Sequence, residues 1–191
     1  MERLSNTVFF VLLAGMLGGL LYSLQRDQAL PYLKLAYYPA IDRMVAAGEY
    51  RAALDQLAVA IHLDFLSRER IYDEIARIAM TNGEVDDHIR ASRGLIDLGV
   101  TDPLTRINLA GSLLLRGKPG DYPEAEQLSR QLLDELPDQP EVNCNLGAAL
   151  LAQNKPEEAR PYFQRALQVD PGFSPAQQGL LRIQQVRPFD E

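Results

Sequence analysis

The chain has 191 residues, of which 47% are hydrophobic and 24% charged, a balance typical of a folded protein rather than a disordered one. The formal net charge is -7, and because residues 1–34 carry a net charge of +1, the remainder sums to -8. An acidic body repels the phosphate backbone, so we do not expect nucleic acid as a partner. The single cysteine, Cys144, excludes an intramolecular disulfide and is compatible with either side of a membrane.

Residues 7–24 form an uncharged run, TVFFVLLAGMLGGLLYSL, in which ten residues are Leu, Val or Phe. The run is at the short end of what spans the hydrocarbon core as a helix. A cleaved signal peptide is the alternative, but the start MERLSNT is not markedly basic and no convincing Ala-x-Ala site follows the run. We therefore predict a transmembrane anchor with a short N-terminal tail at residues 1–30, in a single-pass protein of the bacterial inner membrane.

The orientation of this anchor depends on the basic residues at its ends. Arg3 precedes the run, whereas Arg26, Lys34 and, more distantly, Arg43 follow it. The excess of basic residues on the C-terminal side favours a cytoplasmic body. Because the difference is small, a periplasmic body stays open.

Small residues recur inside the same run. Gly15 and Gly19 form a G-x-x-x-G pair, and Ala14 and Gly18 form a second small-x-x-x-small pair beside it. Such pairs let another membrane helix approach closely, which predicts a transmembrane packing face. Glycine is also common in membrane helices generally, so the pattern has two interpretations.

A 34-residue unit at residues 140–173 is the strongest pattern in the body of the chain. It contains two amphipathic stretches, predicted as helices at residues 141–153 and 156–169. Asn154 and Lys155 are expected to turn the chain between them.

Small and large residues stand at fixed positions in this unit: Leu146, Gly147, Leu150, Ala159, Phe163, Ala166 and Pro171. The small residues suit points where two helices cross closely, and the large ones fill the gaps between helices. This pattern resembles the tetratricopeptide repeat family. The resemblance implies an all-α solenoid of stacked helix pairs that binds other proteins.

The pattern recurs towards the N terminus, so we predict three to four helix pairs within residues 31–172. Their approximate bounds are residues 34–67, 68–103, 104–139 and 140–173. Ser129 stands where Phe163 stands in the clearest unit, which is expected to weaken the packing there. Asp87 stands where the pattern has alanine.

A capping helix and tail are expected at residues 173–191. Ser174 is a candidate N-cap, and Gln177 three residues later completes a capping-box pattern. The apolar residues of this helix, expected to pack on the last repeat, are Leu180, Leu181 and Ile183. Its glutamines are expected to face water, as the end of a repeat array requires.

By resemblance to the family, the first helix of each pair lines a concave groove that holds a peptide or a partner helix. The residues expected there are Tyr38, Asp42, Glu69, Tyr72, Ala76, Asn108, Ser112, Glu141, Cys144, Asn145 and Ala148. Amide side chains can hydrogen-bond a ligand backbone, and tyrosines can bury apolar side chains. These residues could instead simply solvate the inner wall. The family's carboxylate clamp uses lysines and arginines that this face lacks, so a neutral or mildly basic partner segment is expected.

We expect no enzyme activity, no cofactor and no metal site. His62 and His88 stand at no metal-ligand spacing from each other or from the cysteine. Asp86, Asp87 and His88 are expected on a solvated face, because adjacent helical residues point in different directions. Gly117 and Lys118 lack the flanking pattern of a phosphate-binding loop.

Three functions stay open on the sequence. The first is a membrane-tethered scaffold or assembly factor that binds partner segments in the groove. The second is a permanent accessory subunit of a larger inner-membrane complex, held by the transmembrane helix at the Gly15 and Gly19 face. The third is a regulatory module of an envelope-polymer or cytochrome-assembly system.

Overall fold

A computed structural model describes residues 26–62, 67–100 and 102–186, with side chains from residue 36 to residue 185. These residues form α-helices and no strand, as the all-α expectation requires. The helices are α1 (Arg26–Ala46), α2 (Tyr50–Ala60), α3 (Arg68–Asn82), α4 (Val85–Asp97), α5 (Pro103–Arg116), α6 (Asp121–Glu135), α7 (Pro140–Ala152), α8 (Pro156–Val169) and α9 (Ser174–Val186).

The chain divides into two compact units, Met1–Asn82 and Gly83–Glu191, and each is described by itself. In the first unit the core comes from α1, α2 and α3, whose apolar residues at helical spacing are buried: Ile41, Met44, Leu54, Leu57, Ile71, Ile75 and Ile78. The Tyr37 hydroxyl on α1 donates to the main-chain carbonyl of Gln56 on α2 over 2.8 Å. This bond ties the first two helices together beside the core.

Residues in left-handed conformation turn the chain between helices of the second unit, among them Gly117 and Asn154. Gly117 ends α5 with a φ of 69° and donates its N–H to the carbonyl of Leu113. Asn154 follows α7 with a φ of 61°, so the predicted turn at this residue is confirmed. Pro156 then opens α8 at a position where its missing N–H leaves no helical bond unmade.

Hydrogen bonds between neighbouring helices show that α5 and α7 run in the same direction, with α6 antiparallel to both. The guanidinium of Arg106, near the start of α5, donates to the carboxylate of Glu135 at the end of α6 over 2.7 and 2.8 Å. Gln153, just beyond α7, donates to Glu126 near the start of α6 over 2.7 Å. The first helices of two successive pairs are therefore parallel.

Phe163 is the centre of the core formed by α7, α8 and α9. Its ring is 1% exposed and lies against two glycines. A Cβ at Gly147 would come within 2.9 Å of the ring, and a Cβ at Gly179 within 2.5 Å. Leu146 and Leu150 are fully buried in the same cluster. The predicted alternation of small and large residues is confirmed for this helix pair.

The preceding pair achieves its packing differently. Ser129, at the position of Phe163, is fully buried, and its hydroxyl has no hydrogen-bond partner among the described residues. At the equivalent glycine of α5, Gly111, a Cβ would meet only the Asn145 side chain, at 3.9 Å. Asn145 stands 34 residues before Gly179, at the same repeat position. The smaller residue on α6 is thus accompanied by a larger one on α7. The expectation of weaker packing at Ser129 did not consider this second change.

The last helix begins at Ser174 itself, so Ser174 is its first residue and not its N-cap. The Gln177 side chain donates to the carbonyl of Pro171 over 2.9 Å instead of completing a capping box. Ile183 is fully buried, but Leu181 is 56% exposed, so the expectation that Leu181 packs on the last repeat is wrong. No described helix follows α9 to cover the side of the helix on which Leu181 lies.

Of the predicted anchor at residues 1–30, residues 1–25 lie outside the described part of the chain. They include the four small residues of the predicted packing face, Ala14, Gly15, Gly18 and Gly19. Within residues 26–62, 67–100 and 102–186, no helix combines the length and apolar character needed to cross a bilayer.

Candidate partner-binding face

In the first unit, Tyr38 has the best-defined surroundings of the predicted groove residues. The guanidinium carbon of Arg70 lies 3.9 Å from the centroid of its ring, and the ring of Tyr37 stands edge-on at 5.7 Å. The Tyr38 hydroxyl is buried without a hydrogen-bond partner in the described part of the chain, and burial raises the pKa of this phenol. One face of the Tyr38 ring is therefore covered by Arg70.

The other predicted residues of this unit are exposed or half-buried: Asp42, Glu69, Tyr72 and Ala76. Arg77 is hydrogen-bonded to Glu74, and this bond raises the pKa of the arginine, with the charges of Asp42 and Asp73 adding to the effect. Arg77 is therefore engaged within the unit.

In the second unit, two amide side chains lie on the parallel helices α5 and α7. Asn145 donates from Nδ2 to the main-chain carbonyl of Ile107 over 3.2 Å, which places it beside the turn that carries Asn108. The Oδ1 atom of Asn145 accepts no hydrogen bond from a described group, and the Asn108 side chain forms none with any described residue. Both amides are half-buried and keep donors or acceptors that a ligand can use.

Ser112, Leu115 and Ala148 share this surface with the two amides. We call it the α5–α7 face, and it consists of Asn108, Ser112 and Leu115 on α5 with Asn145 and Ala148 on α7. Spacings of three and four residues keep each set on one side of its helix. Leu115 is 73% exposed and was not among the predicted groove residues. Leu115 could have been predicted from its position seven residues after Asn108, on the same side of the helix.

Ser112 is tied to a buried histidine that the sequence placed in solvent. Its Oγ lies 2.9 Å from Nδ1 of His88 on α4, and His88 is only 3% exposed. Burial lowers the pKa of His88, which favours the neutral imidazole. Asp87 is also buried, whereas Asp86 is exposed, so the expectation of a solvated face is wrong for Asp87 and His88. In the described part of the chain, no group of three His, Cys, Asp or Glu side chains is placed to hold a metal ion.

Cys144 does not line the α5–α7 face. It is 7% exposed and packs in the core cluster around Phe163, because its side chain leaves α7 about 100° away from that of Asn145. Burial raises the pKa of its thiol to about 11, with a contribution from the charge of Glu141. Glu141 is exposed, as a groove residue should be, and accepts a hydrogen bond from Gln139 over 2.6 Å.

Two arginines of α5 are neutralised by neighbouring carboxylates. Arg106 forms the paired bonds to Glu135, and Arg116 donates to Asp121 over 2.7 and 2.9 Å and to Asp86 over 2.9 Å. The bonds from Arg116 lower the pKa of Asp121, and those to Asp121 and Asp86 raise the pKa of Arg116. Neither arginine is available to clamp a ligand carboxylate without breaking these bonds.

Part of the second unit matches a known family model. Residues 118–183, which run from the turn before α6 into α9, match the model described as tetratricopeptide repeat. The fold is of the tetratricopeptide type. The expected resemblance is thereby supported for the helix pairs with the clearest repeat pattern.

Solved structures with the tetratricopeptide fold extend this likeness. YrrB, described as a TPR protein with an unusual peptide-binding site, is 18% identical with a TM-score of 0.62, over 84% of this chain and 86% of YrrB. MamA is 14% identical with a TM-score of 0.62, over 76% of this chain and 83% of MamA. The Arabidopsis OM64 TPR domain is 17% identical with a TM-score of 0.54, over 62% of this chain and 96% of the domain. Identities this low show the fold alone. No curated protein matches the sequence.

Proposed function

We propose that this protein is a membrane-tethered interaction scaffold that binds segments of partner proteins on the α5–α7 face. The observation that carries the proposal is the pair of amides on parallel helices. Within the described residues, the Asn108 side chain forms no hydrogen bond and the Oδ1 atom of Asn145 accepts none. An amide offers a donor and an acceptor together, which matches the N–H and C=O of a partner backbone. Stacked helix pairs characteristically present such extended binding surfaces.

The charges around this face favour an uncharged or mildly basic partner segment. Arg106 and Arg116 are engaged by carboxylates, whereas the exposed carboxylate of Glu141 stands at the start of α7. An acidic tail or a terminal carboxylate would meet no unengaged arginine of α5 on this face. Leu115, exposed beside the amides, offers contact to an apolar partner side chain.

The tether is part of the proposal and rests on the sequence of residues 7–24. A single uncharged helix of this length would hold the repeats at a membrane surface, where partners are recruited in two dimensions. The basic flank after the run favours repeats on the cytoplasmic side of a bacterial inner membrane. A peptide-binding site in YrrB, which has the same fold, supports the class of ligand.

Site-specific photocrosslinking tests the proposal. Full-length protein carrying benzoylphenylalanine at Asn108 would be irradiated in intact cells, solubilised in mild detergent and purified by a tag. Gln164, an exposed amide residue on α8 with no hydrogen bond to a described group, is the matched control position. We expect discrete protein adducts from Asn108 and none of the same mass from Gln164.

Alanine variants at the same two positions complete the design. Asn108→Ala should reduce recovery of those partners several-fold, because their backbone loses its hydrogen bonds. Gln164→Ala should leave recovery unchanged. Equal adducts from both positions, or partner recovery that Asn108→Ala does not alter, would show that the α5–α7 face is not the binding surface.

A further inference from the structure

Four residues form a stripe along α5, which we call the α5 stripe: Leu104, Asn108, Gly111 and Leu115. Their spacings of four, three and four residues keep them on one side of the helix, as along the seam of a coiled coil. Leu104 is 61% exposed, and Leu115 is 73% exposed, the largest exposure of any large hydrophobic residue described. The stripe contains no charged side chain.

We propose that a second copy of this chain binds the α5 stripe, with the two α5 helices antiparallel. In this arrangement Leu104 of each copy packs on Leu115 of the other, and Asn108 of each copy lies over Gly111 of the other. At each end of the contact a leucine packs on a leucine. At its centre Asn108 lies over Gly111, which has no side chain. The stripe is therefore complementary to itself about a two-fold axis, which an isologous interface requires.

The centre of the stripe has room and an unused acceptor for this contact. A Cβ at Gly111 would meet only the Asn145 side chain, at 3.9 Å, so the surface over Gly111 is open on its other sides. The Asn145 Oδ1 accepts no hydrogen bond from a described group. The free Nδ2 of Asn108 from the second copy can donate to it, which satisfies both amides at once.

The charges at the ends of α5 favour the antiparallel direction. Asp102 is exposed just before the helix, and Lys118 is exposed two residues after it, with only a 3.6 Å contact to Asp86. Antiparallel pairing brings Asp102 of one copy near Lys118 of the other at both ends, and it also opposes the two helix dipoles. Parallel pairing would place aspartate by aspartate and lysine by lysine.

The stripe is much smaller than the roughly 1,200 Å² that stable interfaces bury, so the pairing is reversible and concentration-dependent. It does not rest on the binding of other proteins, because it needs only the purified chain. Asn108 serves both surfaces, so a second copy and a partner segment would compete for α5.

Disulfide trapping tests the geometry with full-length protein in detergent. Two preparations, Leu104→Cys and Leu115→Cys, carry tags of different mass and are mixed with oxidised glutathione as the oxidant. Mixed dimers should form at least about tenfold faster than either self-dimer, because a disulfide needs Cα atoms within roughly 7 Å. In the antiparallel pair, identical positions lie about 16 Å apart along the axis.

Three controls decide the outcome. The unsubstituted chain, whose Cys144 is buried, should give no dimer. Leu181→Cys on α9, a residue 56% exposed, mixed with Leu115→Cys should cross-link no faster than random collision. Lys118→Glu in the Leu115→Cys chain should slow the mixed dimer several-fold, since it meets Asp102 of the second copy. Self-dimers that form as fast as mixed dimers, or an equal rate with Leu181→Cys, would overturn the proposal.

Discussion

The ring of Phe163 occupies the space in which a side chain at Gly179 would begin, since a Cβ built there lies 2.5 Å from both Cε1 and Cζ. The ring is buried in a packed core and cannot retreat without moving α8 away from α9. We expect Gly179→Ala to lower the free energy of unfolding by about 1–3 kcal/mol, the usual cost of overpacking. Urea unfolding followed by far-UV circular dichroism measures the change.

Gly111→Ala is the matched control for this substitution. Its Cβ would lie 3.9 Å from the nearest side-chain atoms, in ordinary contact, and alanine favours a helix by up to about 1 kcal/mol over glycine. We therefore expect Gly111→Ala to be neutral or stabilising. A loss equal to that of Gly179→Ala would mean that the ring of Phe163 is not the cause of the loss at Gly179.

The exchange of sizes between Ser129 and Asn145 predicts a compensating pair of substitutions. Ser129→Phe alone should destabilise the protein by about 1–3 kcal/mol, because Asn145 stands at the repeat position that glycine has beside Phe163. Adding Asn145→Gly should recover at least half of that loss, since the pair then matches Phe163 and Gly179. A double-mutant cycle on the free energy of unfolding measures this coupling, and additive effects would exclude the exchange.

The repeat positions could be predicted from sequence because each states a local steric requirement. Gly147 and Phe163 stand at fixed positions of the repeat unit, so their contact followed from the pattern once the helices were placed. The exchange at Ser129 could not be predicted in the same way. It depends on Asn145, a residue of the next helix pair, which the pattern of a single unit does not include.

The binding surface was less predictable than the fold, because it depends on how each helix is rotated about its own axis. Cys144 and Asn145 are adjacent in sequence, yet the first is buried and the second half-buried beside α5. The contact between His88 and Ser112 joins residues of two helices and has no local signature. The ion pairs of Arg116 could not be predicted from the sequence, since Asp86 and Asp121 come from two other helices.

The ion pair of Arg116 and Asp121 predicts a stability that depends on acid pH. Asp121 is 4% exposed, and the guanidinium of Arg116 lowers the pKa of its carboxyl group in the folded chain. The stabilisation is therefore complete above the unfolded pKa of about 4 and is lost as the pH falls through the lower folded pKa. We expect Asp121→Asn to lose about 1–3 kcal/mol at neutral pH and to flatten the acid limb of the curve of thermal midpoint against pH.

Asp97→Asn controls for the general effect of removing a carboxylate. Asp97 is exposed at the end of α4 and forms no hydrogen bond to a described group. Its substitution should leave both the neutral-pH stability and the acid limb within error of the unsubstituted chain. If the two variants behave alike, the bonds from Arg116 do not stabilise the fold.

The buried thiol of Cys144 should resist alkylation in the folded protein. Burial raises its pKa to about 11, so at neutral pH almost no thiolate is present, and reagent cannot reach the sulfur. We expect iodoacetamide to modify it at least about a hundredfold more slowly in buffer than in concentrated urea. An added cysteine at the exposed Leu115 is the positive control, and modification of Cys144 at the rate of that cysteine would contradict its place in the core.

His88 predicts a second pH dependence, in the neutral range. Burial lowers the pKa of its imidazole in the folded state, so the unfolded chain binds the proton more tightly. The free energy of unfolding is therefore independent of the His88 titration above the unfolded pKa of about 6.5. It decreases as the pH falls from there towards the folded pKa. His88→Gln removes the titration and keeps a neutral side chain that can hydrogen-bond Ser112, so its stability should change less between about pH 7 and pH 5. Ser112→Ala should cost about 0.5–1.5 kcal/mol at both pH values. The slope of the free energy of unfolding against pH should persist in this variant, because the buried imidazole remains.

His62→Gln, at an exposed position, should leave this slope unchanged. Urea unfolding of all three variants at both pH values measures the slopes, and an unaltered slope in His88→Gln would show that its burial does not govern stability in this range.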